Sequence, residues 1–286
     1  MKRITLTATA AASLLVVAPT ALAEPTRASG DASSTSLPDR WSAHLGDRAD
    51  KAPLLRLTFN GGSASEGDVV RRVRNYGRAS VDAVVVSGTG GRVLRTARSG
   101  GGWAVRLPTY SSEASPPRAV VRVENEGATD VLEARLGDFR FGAAFRLDAV
   151  SQGSRADNGD NLVQRGLSGD PAQYKLQLDG RVPVCRVQGA AGAVAVRAER
   201  ISARRWYVAR CYRDGPRVTI RVWRLTRDPV LPVDAARESG AIGSVDFAAR
   251  TPLSVGGKLA ASGQGVAAAA DQFNGLVDHV VYDERG

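Results

Sequence analysis

From Leu54 onward, apolar and polar positions alternate at period two in one short run after another. The runs are LLRLTF (54–59), VDAVVVSG (81–88), RVLRTA (92–97), WAVRLP (103–108), RAVVRVEN (118–125) and DFRFGAAFRLD (138–148). They continue with NLVQRGL (161–167), QYKLQLDG (173–180), RVPVCRVQG (181–189), AVAVRAER (193–200), RWYVARCY (205–212), RVTIRVWR (217–224), TPLSVGGK (251–258) and NGLVDHVVYD (274–283). Period two sends successive side chains to opposite faces, so most runs predict a strand with one buried face. Turn chemistry separates them at Thr89-Gly90-Gly91, Asp179-Gly180, Asp214-Gly215 and Gly256-Gly257. About fourteen short strands and no amphipathic helix predict an all-β, two-sheet antiparallel jelly-roll sandwich. The stretch from Asp228 to Val245, broken by Gly, Ser and Pro, is expected to be a surface loop with a short strand at its end.

RWYVARCYRDGPRVTIRV (205–222) shows the logic at residue level. Val218, Ile220 and Val222 share one face, and Arg217, Thr219 and Arg221 share the other. The β-branched side chains build core while the arginines face water. Asp214-Gly215 turns the hairpin. WYVARC is apolar on both faces, which places it centrally in a sheet, with Trp206 in the core.

The chain opens with Lys2 and Arg3, then an apolar and small-residue run to Ala18, then Ala21-Leu22-Ala23. That is the pattern of a secretory signal peptide over 1–23. The run is too short for a comfortable membrane span, and no later segment reaches spanning length. Residues 24–51 are polar, small and Pro-containing, the composition of a flexible leader. Roughly 235 residues remain, enough for one large β domain over 52–284. The expected product is secreted and extracellular, with no transmembrane segment in the mature chain.

Export changes the reading of the two cysteines. An oxidising compartment favours a Cys185–Cys211 disulfide between neighbouring strands. A metal pair or a reactive thiol is the alternative, but no histidine or third cysteine lies near in sequence.

Formal charge is +10, and +8 without Lys2 and Arg3; only Lys2, Lys51, Lys175 and Lys258 among the 39 basic residues are lysine. A basic balance can serve nucleic acid, a membrane surface or an anionic polymer. The arginines are spread over many strands rather than gathered in one run, so no nucleic-acid partner is expected. Their simplest role is a solvated coat.

DFRFGAAFRLD, DNLVQRG, QYKLQLDGRVPVCRVQG, RWYVARCYRDGPRVTIRV, PLSVGGK and DQFNGLVDHVVYD follow one another in that order. Together they resemble the laminin-G-like branch of the concanavalin-A-like lectin/glucanase superfamily, and within it the secreted single-domain LamG proteins of actinobacteria. The resemblance spans residues 52–284 through order and spacing. It implies a jelly roll of two antiparallel sheets and a cross-strand bridge matching Cys185 and Cys211. Many relatives carry more cysteines near the DQFNG region, where this chain has none.

Glucanases of this fold use acids at period two on one strand, with two carboxylates about 5–5.5 Å apart for retention. No such triplet occurs here. Glu124 and Glu126 share a face without a third acid in register, and Asp148 and Asp278 stand alone. His279, in the last run, is expected to be a half-exposed strand residue rather than a catalytic base. The glycine-rich SGGGWAV and SVGGK have no P-loop spacing and open no helix.

The resemblance implies calcium as the cofactor to consider, held by loop oxygens. One oxygen-rich set is Asp157, Asn158, Asp160 and Asn161. The other is Asp271, Asn274 and Asp278, with Asn60 as a further donor. A hard cation takes six to eight such oxygens; an Asx-rich turn and a capped hairpin explain the same residues without one. Glycan binding needs exposed rings, for which Trp103, Tyr110, Tyr207 and Trp223 are candidates. Trp223 shares the face of Arg217 and Arg221, a stacking platform with cationic neighbours for an anionic sugar. The expected function is a secreted, non-catalytic binding module for carbohydrate or an anionic cell-envelope polymer. The alternatives are a glycan-active hydrolase with an untypical site, or a protein-interaction domain without a small ligand.

Overall fold

A computed structural model describes residues 52–61, 65–98, 101–151, 160–226, 230–248, 250–265 and 271–285. The expected signal peptide, the expected leader, Asp157 and Asn158 lie outside the described residues. The described chain is all strand, turn and loop. Among the described residues, no helix is long and apolar enough to cross a membrane.

The strands are β1 (Leu55–Leu57), β2 (Val69–Val70), β3 (Val81–Gly88), β4 (Val93–Ala97), β5 (Trp103–Arg106), β6 (Arg118–Asn125), β7 (Asp138–Leu147) and β8 (Asp160–Arg165). Then come β9 (Gln173–Asp179), β10 (Val182–Gly189), β11 (Gly192–Arg197), β12 (Trp206–Asp214), β13 (Arg217–Arg224), β14 (Leu231–Ser239), β15 (Leu253–Val255) and β16 (Gly275–Arg285). One sheet has nine strands in the order β14-β13-β12-β7-β16-β5-β4-β2, with β1 also paired to β16. The other has seven, β11-β10-β9-β8-β15-β6-β3. Their pairings are antiparallel, and the two sheets form the expected sandwich.

Period two explains the core. Phe139, Phe141, Ala143 and Phe145 of β7 point inward, as do Val218, Ile220 and Val222 of β13, all with no exposure. Tyr174 from the seven-stranded sheet meets Phe141 at 4.9 Å and stacks on Tyr282 at 5.5 Å between ring centroids. Each such ring buries about 150–250 Å², a large share of the core for one residue.

β12 lies between β13 and β7, as its two-faced apolarity requires. The cysteines do pair, with their Cα atoms 5.9 Å apart. The placement differs from expectation: Cys185 is on β10 and Cys211 on β12, strands of different sheets. Both side chains point inward, so the bridge spans the sandwich rather than joining neighbouring strands. The Asp228–Val245 region is also corrected. Residues 231–239 form β14, which pairs along β13 through a bulge at Val222/Trp223. Its half-exposed, charged pattern and Pro232 are those of an edge strand, whose outer side has no partner to satisfy.

Candidate ligand-binding face

The arginine face nominated from sequence has the expected orientation. Arg217 and Arg221 are exposed and Trp223 half-buried on the outer side of the nine-stranded sheet. Arg221 covers the Tyr212 ring at 5.3 Å rather than Trp223, and Arg285 covers it at 5.7 Å while pairing with Asp214 at 2.5 Å. Trp223 instead packs with Trp206 on a small cluster of Ala144, Val208 and Leu225. Trp206 is therefore half-buried outside the main core, against expectation. Tyr207 is the reverse case: 4% exposed, it packs on Phe145 and is unavailable to a glycan. Trp103 packs partly against the core, and Tyr110 is half-buried.

The acids considered for chemistry are held by neighbours. Asp148 takes two bonds from Arg106, at 2.8 and 3.3 Å. Glu124 pairs with Arg122 at 3.4 Å, and Glu126 accepts the Ser80 hydroxyl at 2.6 Å. Asp278, fully buried, pairs with Arg98 at 2.8 Å. His279 is 1% exposed rather than half-exposed. It sits at a break in the β16–β7 register with φ 50°, a bulge that turns its side chain out of the alternation.

The two calcium sets are regrouped. Asn274 donates to the Pro108 carbonyl at 2.8 Å, and Asn60 accepts the Trp103 N–H at 2.6 Å. Asp160 accepts the Ser151 hydroxyl at 3.1 Å. Asn161 and Asp271, one from each set, meet directly. The Asn161 amide donates to Asp271 Oδ2 at 3.1 Å and to Gln164 Oε1 at 2.5 Å. Lys258 Nζ pairs with the same Asp271 oxygen at 3.0 Å. Asp271 holds φ 43°, a left-handed conformation that aspartate tolerates better than most residues. Among the described residues, no three His, Cys, Asp or Glu side chains converge as a metal set.

What surrounds Asn161 and Asp271 is a cationic and amide-rich patch on the outer face of the seven-stranded sheet. Residues directly opposite in adjacent strands share a face. Cross-strand partners run Ala195–Arg186–Lys175–Gln164–Ser254–Arg122–Val84, and Arg72 bridges on to Val84. Six strand spacings of about 4.8 Å make this row roughly 29 Å long. Gln173 and Gln188 form the neighbouring pair of the same face. Two of the four lysines in the chain, Lys175 and Lys258, belong to the patch. Burial pushes the Lys175 ammonium below its ordinary range; Asp271 opposes that shift, and Lys258 and Arg186 add to it.

Four polar atoms here, Asn161 Oδ1, Gln173 Oε1, Arg186 Nε and Asp271 Oδ1, are buried with no hydrogen-bond partner. Buried polar groups are nearly always paired, and each unmet one is destabilising by about 1–3 kcal/mol. Unmet donors and acceptors therefore lie together in one patch, but all four atoms are buried, out of direct reach of a ligand. They do not fit calcium, because Lys258 already holds the carboxylate and Lys175 and Arg186 repel a divalent ion. The signal was present in sequence as Gln173, Lys175 and Gln177 at period two beside Arg186 and Gln188. It was missed because which strands are neighbours is not written in any one of them.

No protein-family model matches the chain, and no curated protein matches it in sequence. Its fold is similar to the crystal structure of the binding domain of Paraclostridial Mosquitocidal Protein 1, at 11% identity and a TM-score of 0.50, over 82% of this chain and 49% of that one. It also matches the binding domain of botulinum neurotoxin serotype G, at 10% identity and a TM-score of 0.48, over 82% and 48%. The chain thus spans about half the length of the solved domains it matches. At such identities the likeness defines a class of fold, the all-β sandwich.

Proposed function

We propose that the chain is a secreted, non-catalytic binding module of the LamG type. It takes an anionic glycan or cell-envelope polymer on the outer face of the seven-stranded sheet. The observation that carries this reading is the row from Arg186 through Lys175 and Gln164 to Arg122, flanked by buried polar atoms without partners. An extended anionic chain would meet the half-buried Arg186 and Lys175 at one end of that row and Arg122 at the other, across a middle where Gln164 and Ser254 are buried and already hydrogen-bonded. Charge rather than amide readout would carry the contact. The mosquitocidal protein's matching region is itself a binding domain, which agrees with a binding role on this sandwich. The order of motifs resembling LamG proteins, the signal-peptide pattern and the neighbour-held acids support the same reading over a hydrolase.

The arginine face of the nine-stranded sheet is the weaker choice, because Arg221 and Arg285 both lie over the Tyr212 ring and Arg285 is paired with Asp214. A glycan array that includes uronic-acid and teichoic-acid-like polymers tests the proposal. Binding to acidic polymers that weakens at least tenfold in Lys175→Gln/Arg186→Gln supports it. Undiminished binding in that variant removes it. Release of reducing sugar from any arrayed glycan would restore the hydrolase.

A further inference from the structure

A second site stands apart from the sheet face, at the rim where the two sheets meet. The segment 72–75 laces them together: Arg72 bridges to Val84 of β3, and Asn75 bridges to Leu57 of β1. Beneath it lies a cavity of about 220 Å³ lined by Thr58, Phe59, Gly61, Val70, Arg72, Val73, Arg74, Tyr76 and Arg95. At about 30 Å³ per water this holds about seven waters, the scale of one sugar ring. The lining has three arginines and no acid. Arg72 is neutralised by Asp82 at 2.6 Å. Arg74 rests over the Tyr76 ring at 5.2 Å. Arg95 donates to the Gly61 carbonyl at 2.8 Å, and its buried Nε has no hydrogen-bond partner. Tyr76 itself is 38% exposed, an aromatic face at the mouth.

We propose that this cavity binds one acidic sugar unit, its carboxylate held by Arg74 and Arg95 and its ring against Tyr76 and the apolar floor of Phe59, Val70 and Val73. The inference extends the polymer reading but rests on its own cavity. Guanidinium forks match carboxylate geometry, and a sugar's C–H face stacks on an aromatic ring. Glycine at 61 leaves room for the ring, because a Cβ there would collide with the Tyr76 hydroxyl.

The test is NMR titration of the whole protein with glucuronic acid, glucose and inorganic phosphate, reading the Tyr76 ring and Val70 methyl signals. Glucuronic acid should shift both saturably, and glucose should bind at least tenfold more weakly. Arg74→Gln and Arg95→Gln should each weaken glucuronic acid at least tenfold at these signals, and Arg217→Ser/Arg221→Ser should leave it unchanged. Arg74 is exposed, so its variant keeps the fold even if Arg95→Gln loosens the Gly61 loop. No saturable shift, or equal binding of glucose and glucuronic acid, overturns the proposal. Phosphate binding without glucuronic acid would show an anion hole rather than a sugar site, and overturns it too. Polymer binding that survives such a failure leaves the sheet-face reading standing.

Discussion

Single residues show how far alternation carries and where it stops. Arg165 occupies an inward position of β8 opposite Tyr174, 2% exposed, under Phe247 at 4.2 Å. Its guanidinium pairs with Asp130 and donates to the Thr251 carbonyl at 3.0 Å. An arginine in NLVQRGL read from sequence as one more wet residue is thus a core anchor. The register slip between Asn161 and Val163 makes Leu162 and Val163 both core residues, which a strict two-residue pattern does not show. Arg165→Ala leaves Asp130 without its cation. It should lower unfolding stability by about 3–5 kcal/mol in denaturant titration; a loss below 1 kcal/mol would make the pair dispensable. Tyr174 and Tyr282 give a pH signature. Burial raises both phenols above the ordinary value, which is near 10. A folded-state pKa above the unfolded one adds stability that is complete below about pH 10 and is lost as pH climbs toward the folded values. Exposed tyrosines should therefore ionise first in a phenolate absorbance titration, and these two only together with unfolding. Full ionisation of all six tyrosines in still-folded protein would contradict their burial.

At the scale of elements, the strand runs were legible because each carries its own face. β3, β6 and β13 begin and end where the alternation does. β14 was not, since an edge strand lacks a buried face and its Pro-containing, charged sequence reads as loop. The bulge that buries His279 was hidden as well, because it depends on how β7 pairs with β16. The bridge was legible as a pair but not as a place: Cys185 and Cys211 are inward residues of strands in different sheets. Closing the 26-residue separation contributes about 3.5 kcal/mol by chain entropy. Cys185→Ala/Cys211→Ala should lose about that much, with a steeper denaturant slope because the unbridged unfolded chain is less compact and exposes more surface. Both cysteines are fully buried, so a thiol reductant should open the bridge of native protein only as fast as the sheets part. Rapid reduction without denaturant would contradict the inter-sheet placement.

For the whole molecule, the sandwich was legible from counts of strands and turns, but the candidate face was not. It is assembled from β6, β8, β9, β10 and β15, whose neighbour relations no local pattern encodes. The calcium candidates illustrate the gap. Asn161 and Asp271 lie 110 positions apart and are hydrogen-bonded, while Asp271 and Asp278, seven apart, have separate cationic partners. Because Lys258 holds Asp271, calcium should not be bound through that carboxylate, and Asp271→Asn should leave the difference between melting curves in excess chelator and excess calcium unchanged. A calcium-dependent rise in melting temperature that Asp271→Asn abolishes would contradict that assignment, since a ligand of the native state alone must stabilise it.

The polymer site is tested most directly by affinity for polygalacturonate across a salt series. The wild type, Lys175→Gln/Arg186→Gln and Arg217→Ser/Arg221→Ser would be compared, with melting curves as the check on folding. Screening by salt should weaken wild-type binding steeply. The Lys175/Arg186 variant should bind at least tenfold more weakly with a shallower salt dependence, while the Arg217/Arg221 variant stays within twofold of wild type. Equal affinity in wild type and the Lys175/Arg186 variant, with loss only at Arg217/Arg221, would contradict the site and move it to the opposite sheet.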